Sequence, residues 1–477
     1  MKKRFLPKVL LFLFVAAGVF VGTQYVTGTG LFKKPGIVIY EESVTEAEKT
    51  FLSQYLEVEE VWLDHDVTIS AKSSLSPLDQ PTALLYDVLV PIADFYESSS
   101  TIASTSPDLQ LISINSLTFN QKLLALDDQY YFDHFDAGAF FRYFHITSAD
   151  PTQAIELIQP HLPTFPTKDT VLSFAQTGVT AFSRRMNTMI NSTGPDYFAA
   201  KIKDFLNSKD LTHLSNEASF HPSAPTNPAG TVICSKPAFI DAITAVGTDI
   251  IELTGNHNND CGFQANLDTL TKYQELGIRT VGGGANAEEA AKPLLINEKN
   301  QNITLLAYNQ STGGITTGSH PGANAYSKSK VTADITAAKT RGDFVIVDIQ
   351  YYECYCYPNG YVEYPPCDRA TWGYNQQGFF REIIDLGADV VVGTQAHQPQ
   401  TYELYGNGVI YYGLGNLFFD QYMWPGTSRG LILTHYFYNN QLVQTRLSPT
   451  VFDKALQVRL MNEQESAWLL KRLSQAR

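Results

Sequence analysis

An asparagine, a histidine and an aspartate fall within five positions in the stretch Gly255-Asn256-His257-Asn258-Asn259-Asp260. An amide, an imidazole and a carboxylate so close together can grip a metal ion, a phosphate or an acidic substrate. The apolar run Ile250-Ile251-Glu252-Leu253 empties directly into this stretch and reads as a buried strand. Strand ends of open α/β sheets are where side chains converge on a ligand. The same pattern also suits a polar turn whose Asn and Asp only cap the next helix. Asp260 in particular reads as a helix-start residue rather than a ligand. A second candidate, His397, closes the loop Gly393-Thr394-Gln395-Ala396-His397, which follows the strand-like Asp389 to Val392.

The elements that must position these residues form a regular α/β rhythm from Thr170 to about Leu447. Val171 to Phe174 reads as a strand, Gln176-Thr177-Gly178 as a turn, and Ala181 to Ile190 as a helix. Helices are expected over Asp196–Leu206, Pro237–Val246, Phe263–Leu276 and Gln376–Leu386, with Gly277 and Gly387 as stop signals. Strands are expected over Leu211–Phe220, Ile303–Tyr308, Phe344–Gln350, Val409–Tyr412 and Leu431–Phe437. Three glycines at 282–284 lack a following Lys-Ser/Thr and form no phosphate loop; they let backbone approach closely. An earlier block, 30–165, alternates strands such as Ala83–Val90 with helical stretches such as Thr45–Tyr55 and Asp136–Tyr143. Prolines 160, 163 and 166 mark a linker. The tail 451–477 has helical spacing.

The chain has 477 residues and a net charge of −14, which argues against a nucleic-acid partner. Lys2, Lys3, Arg4 and Lys8 precede an apolar run, Val9 to Val26, about long enough to cross a bilayer. We expect residues 1–29 to be a single-pass membrane anchor with the bulk of the chain outside the cell; a cleaved signal peptide is the rival reading. Five cysteines fit export. A disulfide from Cys367 to Cys354 or Cys356 would close a small Tyr-rich loop, and the odd count leaves at least one thiol free or paired between chains.

The order Asn216-Glu217, Cys234-Ser235-Lys236-Pro237, Gly255-Asn256-His257 through Asp260, Gly282-Gly283-Gly284, the Gly393–Pro399 loop and the closing Tyr411-Tyr412-Gly413-Leu414-Gly415-Asn416-Leu417-Phe418-Phe419-Asp420 resembles the CapA family of poly-γ-glutamate capsule synthesis proteins. The resemblance covers roughly residues 170–450. It implies an α/β fold related to calcineurin-like metallophosphoesterases, a sandwich of two β-sheets flanked by helices, here preceded by the transmembrane helix and the smaller α/β domain. It also implies action on an anionic surface polymer together with capsule synthase subunits. The metallophosphoesterase ligand pattern is reduced. Gln176-Thr177-Gly178 stands where many relatives have Gly-Asp, and the late loop lacks its first histidines. Glu217, Asn256, His257, Glu353 and His397 remain, and they can hold one divalent metal ion that polarises a phosphoryl or carbonyl group. Two functions follow: a metal-dependent hydrolase or phosphoesterase, or a non-catalytic polymer-binding or scaffolding subunit whose cleft lacks convergent ligands.

Overall fold

The computed structural model describes residues 37–57, 63, 65–311, 313–352, 364–369, 373–421 and 424–476. The candidate membrane span Val9–Val26 lies outside them. Among the described residues no helix is long and apolar enough to cross a membrane. The chain divides into two compact units, residues 1–90 with 136–165, and residues 91–135 with 166–477. Residues 91–135 therefore group with the larger unit, not with the amino-terminal block in which their sequence pattern put them.

The smaller unit is built on antiparallel pairing of Phe140–Thr147 with both Val67–Ser74 and Ala83–Leu89, and Val67–Ile69 pairs in parallel with Val38–Tyr40. The helix Glu46–Leu56 starts at a Thr45–Glu48 capping box, which satisfies two otherwise unpaired groups of its first turn. Its Leu52 and Leu56 share a core with Ile69, Phe144 and Ile146. The helix expected over Asp136–Tyr143 is not present. The aromatic, β-favouring run from Phe140 forms a strand instead, with Phe141, Tyr143, Phe144 and Ile146 buried.

In the larger unit the strand Leu172–Ala181 turns Leu172, Phe174 and Gln176 to one face, as the two-residue period of a strand requires. It continues through Gly178, so the expected turn at Gln176-Thr177-Gly178 does not occur. Gly178 marks close packing: a Cβ there would lie 2.0 Å from the Gly415 carbonyl oxygen. The strands Leu172–Ala181, Leu211–Asn216, Ile250–Glu252 and Arg279–Val281 run parallel in that order, and Arg429–Tyr438 and Gln441–Phe452 extend the sheet antiparallel on the other side. A second sheet holds Gln301–Asn309, Phe344–Gln350, Val390–Gly393 and Gly408–Tyr411 in parallel. Mixed α/β architecture is thus the fold class.

Between the sheets lies one apolar layer, with Phe174, Leu211 and Ile250 from the first and Leu305, Ile346 and Val390 from the second. Helices Arg185–Thr193, Ile240–Ala245 and Phe263–Glu275 cover the outer face of the first sheet. Lys328–Arg341 and Gln376–Asp385 cover that of the second. The expected helix Asp196–Leu206 is split into Asp196–Ala199 and Lys203–Asn207. Leu469, Leu470 and Leu473 of the terminal helix Glu463–Gln475 join the layer between the sheets.

One polar row interrupts that layer. Gln176 donates through Nε2 to Asp348 (3.1 Å) and accepts at Oε1 from His435 Nε2 (2.9 Å), whose Nδ1 meets Thr445 (2.8 Å). His213 Nε2 lies 3.1 Å from Asp348. Burial, with His213 adding to it, pushes His435 down to about 3, so this imidazole is neutral and uses one nitrogen as donor and the other as acceptor.

Candidate functional site

The parallel strands deliver their carboxyl ends to one edge of the sandwich. Glu217 follows the strand Leu211–Asn216, and its backbone N–H donates to Thr180 at 3.0 Å. The loop after Ile250–Glu252 crosses directly over it: a Cβ on Gly255 would lie 2.3 Å from Glu217 Cα, so only glycine lets the two segments approach this closely. Within that loop the asparagines divide their tasks. Asn258 donates to the carbonyls of Leu253 and Gly255, and Asn259 to that of Pro321, which fixes the turn. Asn256 accepts from Gln350 at 2.8 Å, and Gln350 also donates to Gln395 of the second sheet.

His257 lies between two carboxylates. Its Nδ1 is 2.7 Å from Asp260 Oδ2, and its Nε2 is 3.7 Å from Glu217 Oε1. Asp260 is therefore not the helix-start residue its sequence position implied. Gly262 occupies the cap of Phe263–Glu275 without a side-chain bond, and Asp260 instead orients the imidazole while accepting from Ile233 N–H at 2.8 Å. A carboxylate can only accept, so Nδ1 carries the proton and Nε2 faces Glu217. Glu217 is 3% exposed in its side chain and its Oε1 has no hydrogen-bond partner among the described residues; His257 is 21% exposed. A buried carboxylate oxygen opposite an imidazole nitrogen needs a proton, a cation or a ligand's donor between them. Among the described residues Glu217 Oε1 is the acceptor of this pair without a hydrogen bond.

A disulfide stitches the same corner. Cys234 bonds Cys261, next in sequence to Ile233 and Asp260 respectively. The five cysteines left this pairing open, and it was not foreseen. Cys367 is also disulfide-bonded, while Cys354 and Cys356 lie outside the described residues.

His397 stands on the other flank of the central strand. Its Nδ1 is 2.9 Å from Asn416 Oδ1, and its ring stacks on Phe419 with centroids 4.9 Å apart and planes 6° from parallel. Asn416 pairs with Val179, one residue from the Thr180 that holds Glu217. Phe419 packs with Ala181, Ala218 and Ile233, and Ala218 is bridged to His257. Glu353 lies outside the described residues. Among the described residues no three His, Cys, Asp or Glu side chains are arranged to hold a metal. Among the described residues Glu217 and His257 offer two donor atoms to the one-ion centre expected from Glu217, Asn256, His257, Glu353 and His397. Asn256 serves the amide chain to Gln350 and Gln395. Asp260, Gln350, Gln395 and Asn416 were missed as site residues; of these only Asp260 had a local signal, its i+3 spacing from His257.

Fold and site together define a two-layered α/β protein with an imidazole held between two carboxylates at the carboxyl edge of its parallel strands. The chain belongs to the bacterial capsule synthesis protein PGA_cap family, whose pattern matches residues 173–421 and so contains all of these site residues. It is similar to the capsule biosynthesis protein CapA of Bacillus anthracis, 23% identical over 282 residues, which are 56% of this chain and 64% of that protein. The chain thus spans just under two thirds of that relative. It is also similar to the PGA biosynthesis protein CapA of Bacillus subtilis (strain 168), 22% identical over 286 residues, 59% of this chain and 72% of that one. A solved structure from Thermus thermophilus aligns with 56% of this chain and 99% of its own, at 10% identity and a TM-score of 0.29, too loose a likeness to argue from.

Proposed function

We propose that this protein is an outward-facing accessory protein, anchored by Val9–Val26, in the synthesis, export or attachment of capsular poly-γ-glutamate or a similar anionic polymer. The observation that carries the reading is the family match over 173–421, the segment that contains Glu217, His257 and Asp260. The two-sheet arrangement supports a fold related to metallophosphoesterases. Partners of this reading are the polymer and the capsule synthase subunits.

At this corner, Asp260 holds His257 in one tautomer with Nε2 facing Glu217, the nitrogen through which a proton is taken or returned. A γ-linked amide N–H, or a nucleophile approaching its carbonyl, supplies the donor that Glu217 Oε1 lacks. This arrangement suits acid–base handling of an amide-linked polymer. The scaffolding alternative uses the same contacts for binding alone.

One experiment separates them. The full chain, purified in detergent, is incubated with γ-linked polyglutamate, and polymer length and co-elution are followed by gel filtration. Shortening or transfer that vanishes in His257→Gln supports catalysis. Co-elution without a change of length supports the binding role. The absence of both co-elution and any change in length contradicts the reading.

A further inference from the structure

A strongly acidic chain that handles a polyanion needs a local positive site, because like charges repel over about a Debye length. The contact between the strand Arg429–Tyr438 and the terminal helix Glu463–Gln475 holds one. The Arg429 guanidinium lies 4.4 Å, and the Arg472 guanidinium 3.8 Å, from the centroid of the Trp468 ring. One of the five N–H donors of Arg429 goes to the hydroxyl of the buried Tyr364 at 2.7 Å. Arg472 Nη1 donates to the Trp468 carbonyl of its own helix at 3.4 Å. Among the described residues neither guanidinium has a carboxylate within ion-pair reach. Two like charges held at one indole without a counter-charge repel each other, and an anion beside them removes that cost.

There is room for one. Arg429 and Trp468 line a cavity of about 310 Å³ together with Ser428, Gln464 and Glu465. Glu465 is the carboxylate of this lining, and its charge is already matched. Arg459 Nη1 and Nη2 donate to it at 2.7 and 2.9 Å, and the Asn462 N–H donates at 2.9 Å. Gln464 is exposed, and its amide makes no hydrogen bond among the described residues. A guanidinium fork, an amide and an indole suit a carboxylate on a short alkyl stem: charge-assisted bonds for the oxygens, an aromatic surface for the methylenes. Arg429 opens the strand that runs antiparallel to Leu172–Ala181, so it belongs to the edge at which that strand ends, the edge of the Glu217–His257 corner. Thr427, two residues earlier, accepts from Asn416, whose Oδ1 faces His397.

We propose that Arg429, Gln464 and Trp468, with Arg472 at the same ring, form a carboxylate-binding site that anchors the polymer chain apart from the Glu217–His257 corner. The inference rests on the polymer-handling reading above and names the ligand group recognised. Affinity of the full chain for a γ-linked glutamate decamer is measured calorimetrically at about 150 mM salt, alongside the melting temperature. We expect Arg429→Gln to bind about 10- to 100-fold more weakly and Gln464→Glu about 3- to 10-fold more weakly. Gln464→Glu alters an exposed side chain with no hydrogen bond to lose, so it decides the matter should Arg429→Gln, which loses the Tyr364 bond, fail to fold. Gln464→Lys should bind more tightly than the unaltered chain, a reversal of sign that a packing role does not produce. The exposed Gln54 of the smaller unit is the control, and Gln54→Glu should leave affinity within about twofold. Equal binding by Arg429→Gln, Gln464→Glu and the unaltered chain, or an equal loss in Gln54→Glu, overturns the site alone. Displacement of the decamer by inorganic phosphate at equal concentration assigns the site to phosphate and overturns the carboxylate assignment. No binding by the unaltered chain overturns the polymer-handling reading and the site with it.

Discussion

Gly255→Ala strikes the point on which the site's geometry turns. The new Cβ would lie 2.3 Å from Glu217 Cα and 2.4 Å from Glu217 Cβ, against an ordinary contact of 3.4–4 Å. The loop and Glu217 must separate by about 1 Å, because neither neighbour is the flexible end of a side chain. A displacement of that size is a large fraction of the 3.7 Å between His257 Nε2 and Glu217 Oε1, so the pair is lost as a binding geometry. The cost in stability is about 1–3 kcal/mol, the usual range for forcing one methyl into a packed site. Gly194→Ala serves as the control. Its φ of +75° makes alanine cost about 1–3 kcal/mol too, but nothing lies within 4 Å of its Cβ and it caps a helix away from Glu217. Both variants should melt a few degrees lower; only Gly255→Ala should also lose at least about tenfold in affinity for a γ-linked glutamate oligomer. If Gly255→Ala binds and melts like the unaltered chain, the contact between this loop and Glu217 is not as described and the reasoning fails.

Three further expectations follow from the same contacts. Cys234→Ser with Cys261→Ser opens a loop of sequence separation 27 and should cost about 3–4 kcal/mol by chain-entropy reasoning, read as a lower urea midpoint; an unchanged midpoint would contradict the pairing. His435 is held down to about 3 by burial, while in the unfolded chain it takes a proton near pH 6.5, so stability falls as pH drops from about 6.5 towards 3. His435→Gln should remove up to about 4–5 kcal/mol of that pH-dependent loss, seen in urea unfolding at stepped pH, whatever it costs at neutral pH; an unchanged slope refutes the neutral buried imidazole. Glu465 is lowered to about 2 by its bond to Arg459, so its contribution is complete above about pH 4.5 and is lost as pH falls towards 2. The pair is more than one-third exposed, and Glu465→Gln should flatten stability over that window by less than about 1 kcal/mol; a larger change would show that the bond Glu465 accepts from the Asn462 N–H at the start of the terminal helix contributes more than the ion pair.

Local signals carried the reading of the elements well where apolar period and stop residues agreed, as in Phe263–Glu275, Phe344–Gln350 and the strand entering Gly255. They misled where one residue type has two uses. Gly178 looked like a turn and is a close approach to Gly415, and Phe140 onward looked helical although its aromatic run packs as a strand. At the site, Asn256 and His257 were legible because a strand empties into them. Asp260 was legible but assigned the wrong task, since capping and orienting a histidine draw on the same carboxylate. The partners of the other site residues come from far along the chain: Gln350 reaches Asn256 across 94 positions and Asn416 reaches His397 across 19. No period or motif within one segment announces such pairs, because sheet order decides them.

The amount of surface polymer made by a capsule-forming host is the most direct test of the central claim that the Glu217–His257–Asp260 corner handles that polymer. The host lacks its own CapA-type protein and carries this chain, unaltered or as Glu217→Gln or His257→Gln, at matched protein levels. The account predicts that the unaltered chain restores cell-associated poly-γ-glutamate and that both variants restore little of it. Full restoration by both variants, with the proteins present and folded, would contradict it.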